Sequence, residues 1–282
     1  MGPRSYSVQT LSNFALEIAY DGTDFLGYAK QPGKFTVQGV LEKALCLVLG
    51  TETFSTFVSG RTDKGVHALS QVVSVSIEHT VQLDLDKLVR SLEKLTPESI
   101  SVARAVVVDE GFHARFSAVE RRYWYFISTS EFEIPHLRRV SWNVGSSFDL
   151  GAFFAGAKTL VGEHDFSSFC RKDLNGGSLV RRVESVGLYE SAVDLFVFEI
   201  RANAFCHQMV RSIVGFLTEI ARGDGAYRDI EAFMNTRCRA KGANLAPPQG
   251  LFLSGINFRE PYQYVVGAQR PCPGIELYSC RS

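Results

Sequence analysis

The strongest constraint on the fold is the alternation of two apolar spacings in the first part of the chain. Residues 14–20, 71–77 and 101–108 read as strands, rich in apolar and β-branched side chains that alternate with polar ones in 71–77. Apolar residues recur at helical spacing in 37–48 and again in 85–95. This order of strand, helix, strand, helix, strand predicts a sheet that is covered by helices on one side.

The second half of the chain repeats this scheme loosely and without an exact internal repeat. Its predicted elements are a strand at 121–128, a helix that Asp149 begins, a hairpin of 179–189 with 195–201, a long helix from Met209 that residues 223–225 end, a short helix at 230–235 and a strand at 251–258. We therefore predict an N-terminal lobe at 14–117, a C-terminal lobe at 118–258 and a C-terminal extension at 259–282. At 282 residues either lobe can bury a substantial core.

Composition excludes few functions. Lys plus Arg equal Asp plus Glu at 30 each, so a basic surface for nucleic acid would have to be offset by acidic residues elsewhere. The six cysteines are scattered without a C-x-x-C pair, which argues against a zinc site and favours reduced thiols in a cytosolic compartment. A disulfide between Cys272 and Cys280 is not expected there.

No apolar run is long enough to span a bilayer, and the N-terminus has no apolar core of a secretory signal. Residues 1–13 lack acidic groups and hold Arg4, as some organelle transit peptides do. We favour a short disordered tail for this segment.

The stretch GRTDKGVHA at residues 60–68 lies between an apolar run and a predicted strand, and loops held in this way often carry catalytic side chains. Its two glycines allow a sharp turn, and between them stand Arg61, Thr62 and Asp63. On spacing alone, a turn or helix cap formed by Thr62 or Asp63 explains the pattern slightly better than catalysis.

This stretch closely resembles the signature G-R-T-D-A-G-V-H of the TruA-type tRNA pseudouridine synthases. Lys64 stands where most bacterial members have Ala, and Tyr28 stands where the family usually has Trp. Further matching blocks follow in the family's order at residues 112–118, 121–125, 163–169, 202–211 and 250–253. The resemblance covers residues 14–258 and is therefore specific and nearly full length.

The resemblance implies an α+β pseudouridine synthase fold: two lobes of mixed, mainly antiparallel sheet flanked by helices, with ferredoxin-like halves and a central cleft. It implies an isomerase that converts uridine to pseudouridine in the anticodon stem-loop of tRNA, at positions 38–40 or a subset of them. Neither a cofactor nor a metal is expected, because the reaction involves no redox change and no lost group. The resemblance also implies a homodimer without membrane association. We expect a cytoplasmic location, or an organelle or the nucleus in a eukaryote.

Three residues match the family's catalytic positions. Asp63 corresponds to its catalytic aspartate, since a carboxylate can form and release an ester-like intermediate. Attack on ribose C1′, attack on uracil C6 and abstraction of the 2′ proton all remain open for this carboxylate. Arg211 is the expected cation that keeps Asp63 ionised, and Tyr123 offers a ring on which a flipped uracil stacks.

Four further residues are expected to bind the substrate. Arg61 is expected to hold the backbone beside the extruded nucleotide, and Leu251 to pack against the uracil ring. Thr62 belongs to the same loop, and His67 is expected to hold that loop by a hydrogen bond. A phosphate-contacting cleft is also expected from a concentration of cations: Arg115, Arg121, Arg122, Arg138, Arg139, Arg171, Lys172, Arg181 and Arg182.

Two other classes of function were compared with this one. A tRNA-binding chaperone that has lost catalysis would have no need to keep Asp63, Tyr123 and Arg211 together. An unrelated aspartate-dependent hydrolase lacks support, because the chain has no D-x-D-x-T motif, no Walker-type glycine loop and no metal-ligand cluster.

Overall fold

The computed structural model of the chain describes residues 9–171, 177–223, 230–236, 244–267 and 271–282. Within them the strands are, in chain order, β1 (Gln9–Tyr20), β2 (Phe54–Val58), β3 (His67–Leu83), β4 (Ile100–Val107), β5 (Ala118–Ser128), β6 (Trp142–Asn143), β7 (Gly162–Asp165), β8 (Val180–Ala192), β9 (Leu195–Ala202), β10 (Leu251–Phe258) and β11 (Ile275–Arg281). The helices are α1 (Val37–Leu49), α2 (Leu85–Leu95), α3 (Leu150–Lys158), α4 (Met209–Arg222) and α5 (Ile230–Asn235). The strands pair mainly antiparallel, so the predicted α+β class is confirmed.

The chain divides into two compact units, each made of two segments. The first unit comprises Met1–Val119 with Leu253–Gln269, and the second comprises Glu120–Phe252 with Arg270–Ser282. Most of β10 therefore belongs to the first unit and not to the unit that precedes it along the chain. Whether 14–117 and 118–258 fold as independent domains stays a prediction.

The first unit is a sheet in which β1 lies between β3 and β4 and pairs antiparallel with both. β2 pairs with β3, and the part of β10 in this unit also lies beside β3. Residues at the helix ends cap both helices of this unit: the Asp84 side chain accepts from the backbone N–H of Lys87 at the start of α2. Gly50 ends α1 with a left-handed φ of 67°.

Tyr28 lies buried in this unit, at the place where the family usually has Trp. Its hydroxyl finds no hydrogen-bond partner in the part of the chain that the structure describes. Burial raises the pKa of Tyr28 well above its ordinary value, so the group is a neutral phenol. A buried hydroxyl without a partner costs free energy of folding, since it has lost its bonds to water.

We therefore expect Tyr28→Phe to raise the free energy of unfolding by up to about 1 kcal/mol, seen as a higher denaturant midpoint. Tyr20→Phe is the matched control, because the Tyr20 hydroxyl is hydrogen-bonded to Thr62 at 2.8 Å. That substitution should lower the free energy of unfolding by about 1 kcal/mol. Equal destabilisation by the two substitutions would contradict the assignment of an unpaired Tyr28 hydroxyl.

In the second unit the strands lie in the order β11, β8, β9, β5, and each neighbour is antiparallel. β6 adds to β5 in parallel and β7 adds to β8. Helix α3 begins where predicted, because the Asp149 side chain accepts from the N–H of Ala152. The core of this unit is aromatic, and its buried rings include Phe153, Phe198, Phe169 and Phe233.

Two expectations from the sequence need correction. Residues 9–13 are not part of a disordered tail, because they belong to β1 and pair with β3. The extension beyond 258, interpreted as a tail or an edge-docking extension, docks at a sheet edge, where β11 pairs with Ser185–Glu190 of β8. The cysteines are not all reduced: Cys170 and Cys206 form a disulfide with Cα atoms 5.8 Å apart, whereas Cys272 and Cys280 are free as expected. Asp224 and Gly225, predicted to help end α4, lie outside the described residues.

Candidate active site

The loop between β2 and β3 carries Asp63 and is held first by side chains from β1 and β3. The Tyr20 hydroxyl lies 2.8 Å from the Thr62 hydroxyl, and both residues are buried. The Gln71 side-chain amide donates to the Gly60 carbonyl at 2.6 Å and to the Tyr20 hydroxyl at 3.4 Å. Burial raises the pKa of Tyr20 to about 12, so the phenol keeps its proton at neutral pH. These contacts fix the backbone immediately before Asp63.

The loop that follows β1 packs directly against the same segment. The Tyr28 N–H donates to the Thr62 carbonyl at 3.1 Å. Gly27 has a φ of +98°, and a Cβ there would lie 3.2 Å from the Thr62 carbonyl oxygen. A Cβ on Gly22 would overlap the Val66 carbonyl. Only glycine allows these two close contacts, through which the loop after β1 also holds the loop of Asp63.

Asp63 itself lies at a tight turn. Its carbonyl accepts from the Val66 N–H at 3.2 Å, and Gly65 within the turn has a φ of 77°. The Asp63 side chain is half-buried, while Arg61 and Lys64 on either side are exposed. A half-buried carboxylate is thus presented on a rigid loop, as a catalytic side chain requires.

His67 is buried at the end of this loop and touches two groups through one nitrogen. Its Nδ1 lies 3.1 Å from the Gly22 N–H and 3.1 Å from an Asp21 carboxylate oxygen. One nitrogen cannot accept from the first and donate to the second in the same protonation state. Gly22 is buried, and no other acceptor serves its N–H in the described part of the chain, so we assign Nδ1 as the acceptor. This contact suits the predicted loop-holding role.

We expect His67→Ala to lower the free energy of unfolding by about 1–3 kcal/mol, because it leaves the buried Gly22 N–H without an acceptor. His67→Asn should recover most of that loss, since the Asn side-chain oxygen occupies nearly the place of Nδ1. Chemical denaturation of both variants measures the difference. If both variants are equally unstable, this hydrogen bond does not hold the loop.

In the second unit, Tyr123 lies on β5 with its ring buried. Phe205 packs against it edge to face, with ring centroids 5.0 Å apart and planes at 87°. Tyr125, two residues on, shares the same face of the strand and donates its hydroxyl to the Pro247 carbonyl at 2.9 Å. Tyr125 is therefore a structural residue of this unit.

Arg211 lies in the first turn of α4, and its Nε donates to the Ala246 carbonyl at 2.8 Å. The Ala246 N–H returns a bond to the Arg211 carbonyl at 3.1 Å. The same segment then reaches Gly250, whose Cβ position would lie 2.7 Å from the Tyr125 ring, and the buried Leu251. Segment 246–251 thus links Arg211 of α4 to β5 and carries Leu251 at its end.

The structure therefore brings the predicted site residues together in two groups. Asp63, Arg61, Thr62 and His67 share one loop of the first unit. In the second unit, contacts of segment 246–251 connect Arg211 and Leu251 to the strand that carries Tyr123. The pairing of Asp63 with Arg211 and Tyr123 stays a prediction.

Two arginines do not suit the predicted phosphate-contacting set, because they are buried. Arg121 donates to the Asn203 carbonyl at 2.8 Å. The Arg122 guanidinium lies 5.3 Å above the Trp124 ring and 3.9 Å from the Glu199 carboxylate. The exposed members are Arg115, Arg138, Arg139, Arg171 and Arg182, while Arg181 is half-buried and Lys172 lies outside the described residues.

Sequence reasoning missed the residues that hold the loop. The pattern predicts a strand for Tyr20 and another for Gln71, and it assigns neither of them, nor Gly22, to the site. The available indication for Gln71 is an amide side chain at the start of the predicted strand 71–77, directly before Val72 and Val73. Among the described residues, no group of three His, Cys, Asp or Glu is arranged to hold a metal ion. None of the described helices is long and apolar enough to cross a bilayer.

Comparison with known proteins shows the family of the chain. Residues 17–117 and 157–259 match the family model described as tRNA pseudouridine synthase. The tRNA pseudouridine synthase A of Dictyoglomus turgidum is 35% identical over 248 residues, which are 88% of this chain and 100% of that protein. The chain belongs to the tRNA pseudouridine synthase family. The matched ranges include Asp63 and Arg211, whereas residues 118–156, with Tyr123, lie between them.

Other tRNA pseudouridine synthase A proteins match to a similar extent. That of Thermosipho africanus is 38% identical over 250 residues, covering 88% of this chain and 100% of the relative. That of Nitrosomonas europaea is 38% identical over 244 residues, covering 86% of this chain and 88% of the relative. As a member of the tRNA pseudouridine synthase family the chain is an isomerase.

Proposed function

We propose that this protein isomerises uridine to pseudouridine in the anticodon stem-loop of tRNA, at positions 38–40 or a subset of them, with Asp63 as the nucleophile. The observation that supports this most directly is the loop of Asp63, which buried hydrogen bonds and two close glycine contacts hold rigidly while its carboxylate stays half-buried. Preorganisation of this kind is what a catalytic group requires.

The reaction conserves every atom of the substrate. The bond between uracil N1 and ribose C1′ breaks, a bond between C5 and C1′ forms, C5 loses its proton and N1 gains one. No electron is gained or lost, so neither an oxidant nor a co-substrate is needed. A carboxylate nucleophile forms a covalent adduct and is released again when the product bond is complete.

The other predicted residues have separate tasks in this proposal. Tyr123 stacks on the everted uracil and places its hydroxyl near C5, while Leu251 packs against the ring. The Arg211 guanidinium keeps the Asp63 carboxylate ionised. Arg61 binds the backbone beside the extruded nucleotide, whose removal from the stack costs a few kcal/mol. We further propose that the protein acts as a homodimer and in the cytoplasm.

The proposal is tested by incubating the protein with an unmodified tRNA transcript and mapping pseudouridine by carbodiimide treatment and primer extension. We expect new stops in the anticodon arm. A transcript with cytidine at positions 38, 39 and 40 is the matched control and should give none. Tight tRNA binding without any pseudouridine would overturn the proposal and favour the catalytically silent chaperone.

A further inference from the structure

We propose that Phe57, His113 and Phe116 form an aromatic platform on which an unstacked base of the substrate RNA stacks, outside the pocket that receives the target uracil. This inference rests on the proposed function for the identity of the RNA. The three residues belong to the first unit, and the catalytic assignment above uses none of them.

The three rings form a continuous row. The centroids of Phe57 and His113 are 4.4 Å apart with planes at 38°, and those of His113 and Phe116 are 4.5 Å apart at 37°. Phe116 is 70% exposed and Phe57 42% exposed, so ring surface faces solvent at both ends of the row. Exposed aromatic rings in a cluster mark a binding surface more often than scattered single ones.

Hydrogen bonds hold the turn that presents the platform. The His113 N–H donates to the Ser117 hydroxyl at 3.1 Å, and the Ser117 N–H donates to the His113 carbonyl at 2.8 Å. The Ala114 N–H donates to the Ser74 hydroxyl of β3 at 3.2 Å. The His113 Nδ1 accepts from the Arg115 N–H at 3.1 Å. A fixed turn lowers the entropy cost of ordering these rings on a ligand.

The platform lies close to the catalytic loop. Phe57 is in β2, opposite Ser74 of β3, and β2 runs directly into the loop with Arg61 and Asp63. Arg61 follows Phe57 by four positions, a span of at most about 14 Å of extended chain. An RNA strand whose backbone is bound at Arg61 therefore has neighbouring bases within reach of the platform.

Charge favours nucleic acid as the occupant. The Arg115 guanidinium lies 5.6 Å from the centroid of the Phe116 ring, and it adds a cation where a phosphate chain would pass. Burial lowers the pKa of His113, with Arg115 contributing, so the imidazole is neutral at pH 7 and can stack as a flat ring. Phe132 is equally exposed at 70% but is flanked by Glu131 and Glu133, which would repel a phosphate.

The test measures binding of a fluorescent anticodon stem-loop RNA to the full chain by anisotropy. We expect Phe116→Leu and Phe57→Leu each to weaken Kd by about 5- to 150-fold, and Phe116→Trp to restore it. Phe132→Leu is the matched control and should leave Kd unchanged. Melting temperatures of all variants verify that each is folded.

An abasic scan of the RNA loop identifies the stacked base. Removing that one base should weaken binding to the unaltered protein as much as Phe116→Leu does, and Phe116→Leu should then add no further loss. Unchanged Kd for Phe116→Leu would overturn the platform, as would an equal loss with every abasic RNA. A change of oligomeric state on substitution would overturn it too, because the rings would then serve a second copy of the chain.

The outcomes for the platform and for the proposed function are separable. If the unaltered protein forms pseudouridine and Phe116→Leu binds normally, the platform is wrong and the function stands. If the scan shows one stacked base but no pseudouridine forms, the platform stands and the function is wrong.

Discussion

Replacing Asp63 with asparagine is expected to slow pseudouridine formation by at least about 1,000-fold, because the amide keeps the shape of the side chain but cannot act as the nucleophile. The contacts of Tyr20 and Gln71 go to Thr62 and Gly60, before Asp63, and do not involve the carboxylate. Stability and RNA affinity should therefore stay near those of the unaltered protein. Single-turnover mapping of pseudouridine measures the rate.

Asp86→Asn is the control for this experiment. Asp86 is an exposed carboxylate of the first unit, in the first turn of α2, and lies outside the proposed site. Its loss removes at most a small helix-dipole interaction and should leave the rate unchanged. A rate for Asp63→Asn within tenfold of the unaltered protein would remove Asp63 from its proposed role.

Gly22→Ala is expected to have the largest effect on stability. The new methyl group would overlap the carbonyl of Val66 and lie 3.0 Å from its nitrogen, and both are backbone atoms that cannot turn aside. We expect a loss of about 3 kcal/mol in the free energy of unfolding and a melting temperature lower by about 6–12 °C. Because the displaced backbone belongs to the turn of Asp63, the folded fraction should also lose about 100-fold in rate.

Gly177→Ala separates this effect from the general cost of replacing a glycine. Among the described residues, a Cβ on Gly177 meets no atom within 4 Å, and the φ of Gly177 lies outside the left-handed region. Its free energy of unfolding should change by less than about 0.5 kcal/mol. If Gly22→Ala melts and reacts like the unaltered protein, the close contact between the two loops is not needed for the site.

The sequence predicts best the elements that bury apolar side chains, on one face in α1 and α2 and along nearly the whole strand in β10. Helices α1 and α2 carry their caps in the sequence, and strand β10 occupies the predicted residues 251–258. Strand β11 escaped prediction because nearly all of its side chains are exposed, so neither alternation nor a long apolar run marks it. Its place is set by pairing with β8, which is a tertiary interaction.

The residues of the site likewise divide into those that the sequence predicts and those that depend on tertiary contacts. The residues of the catalytic loop could be identified because they form one contiguous motif. The Tyr20 hydroxyl contacts Thr62 of that loop across 42 residues of sequence, and the Gln71 side chain contacts Tyr20 across 51 residues. Both contacts depend on the register between β1 and β3, which no local pattern encodes. The burial of Arg122 beside Glu199 likewise depends on strand pairing and is invisible in a row of charges.

The two-segment composition of the first unit affects the order in which the protein can assemble during translation. Strand β3 acquires its neighbour β10 from residues near the end of the chain, after the whole stretch 120–252 has left the ribosome. In the sheet made first, the part of this side of β3 that β2 does not cover thus stays unpaired until one of the last strands is made. Such an edge is a site for mispairing between nascent chains.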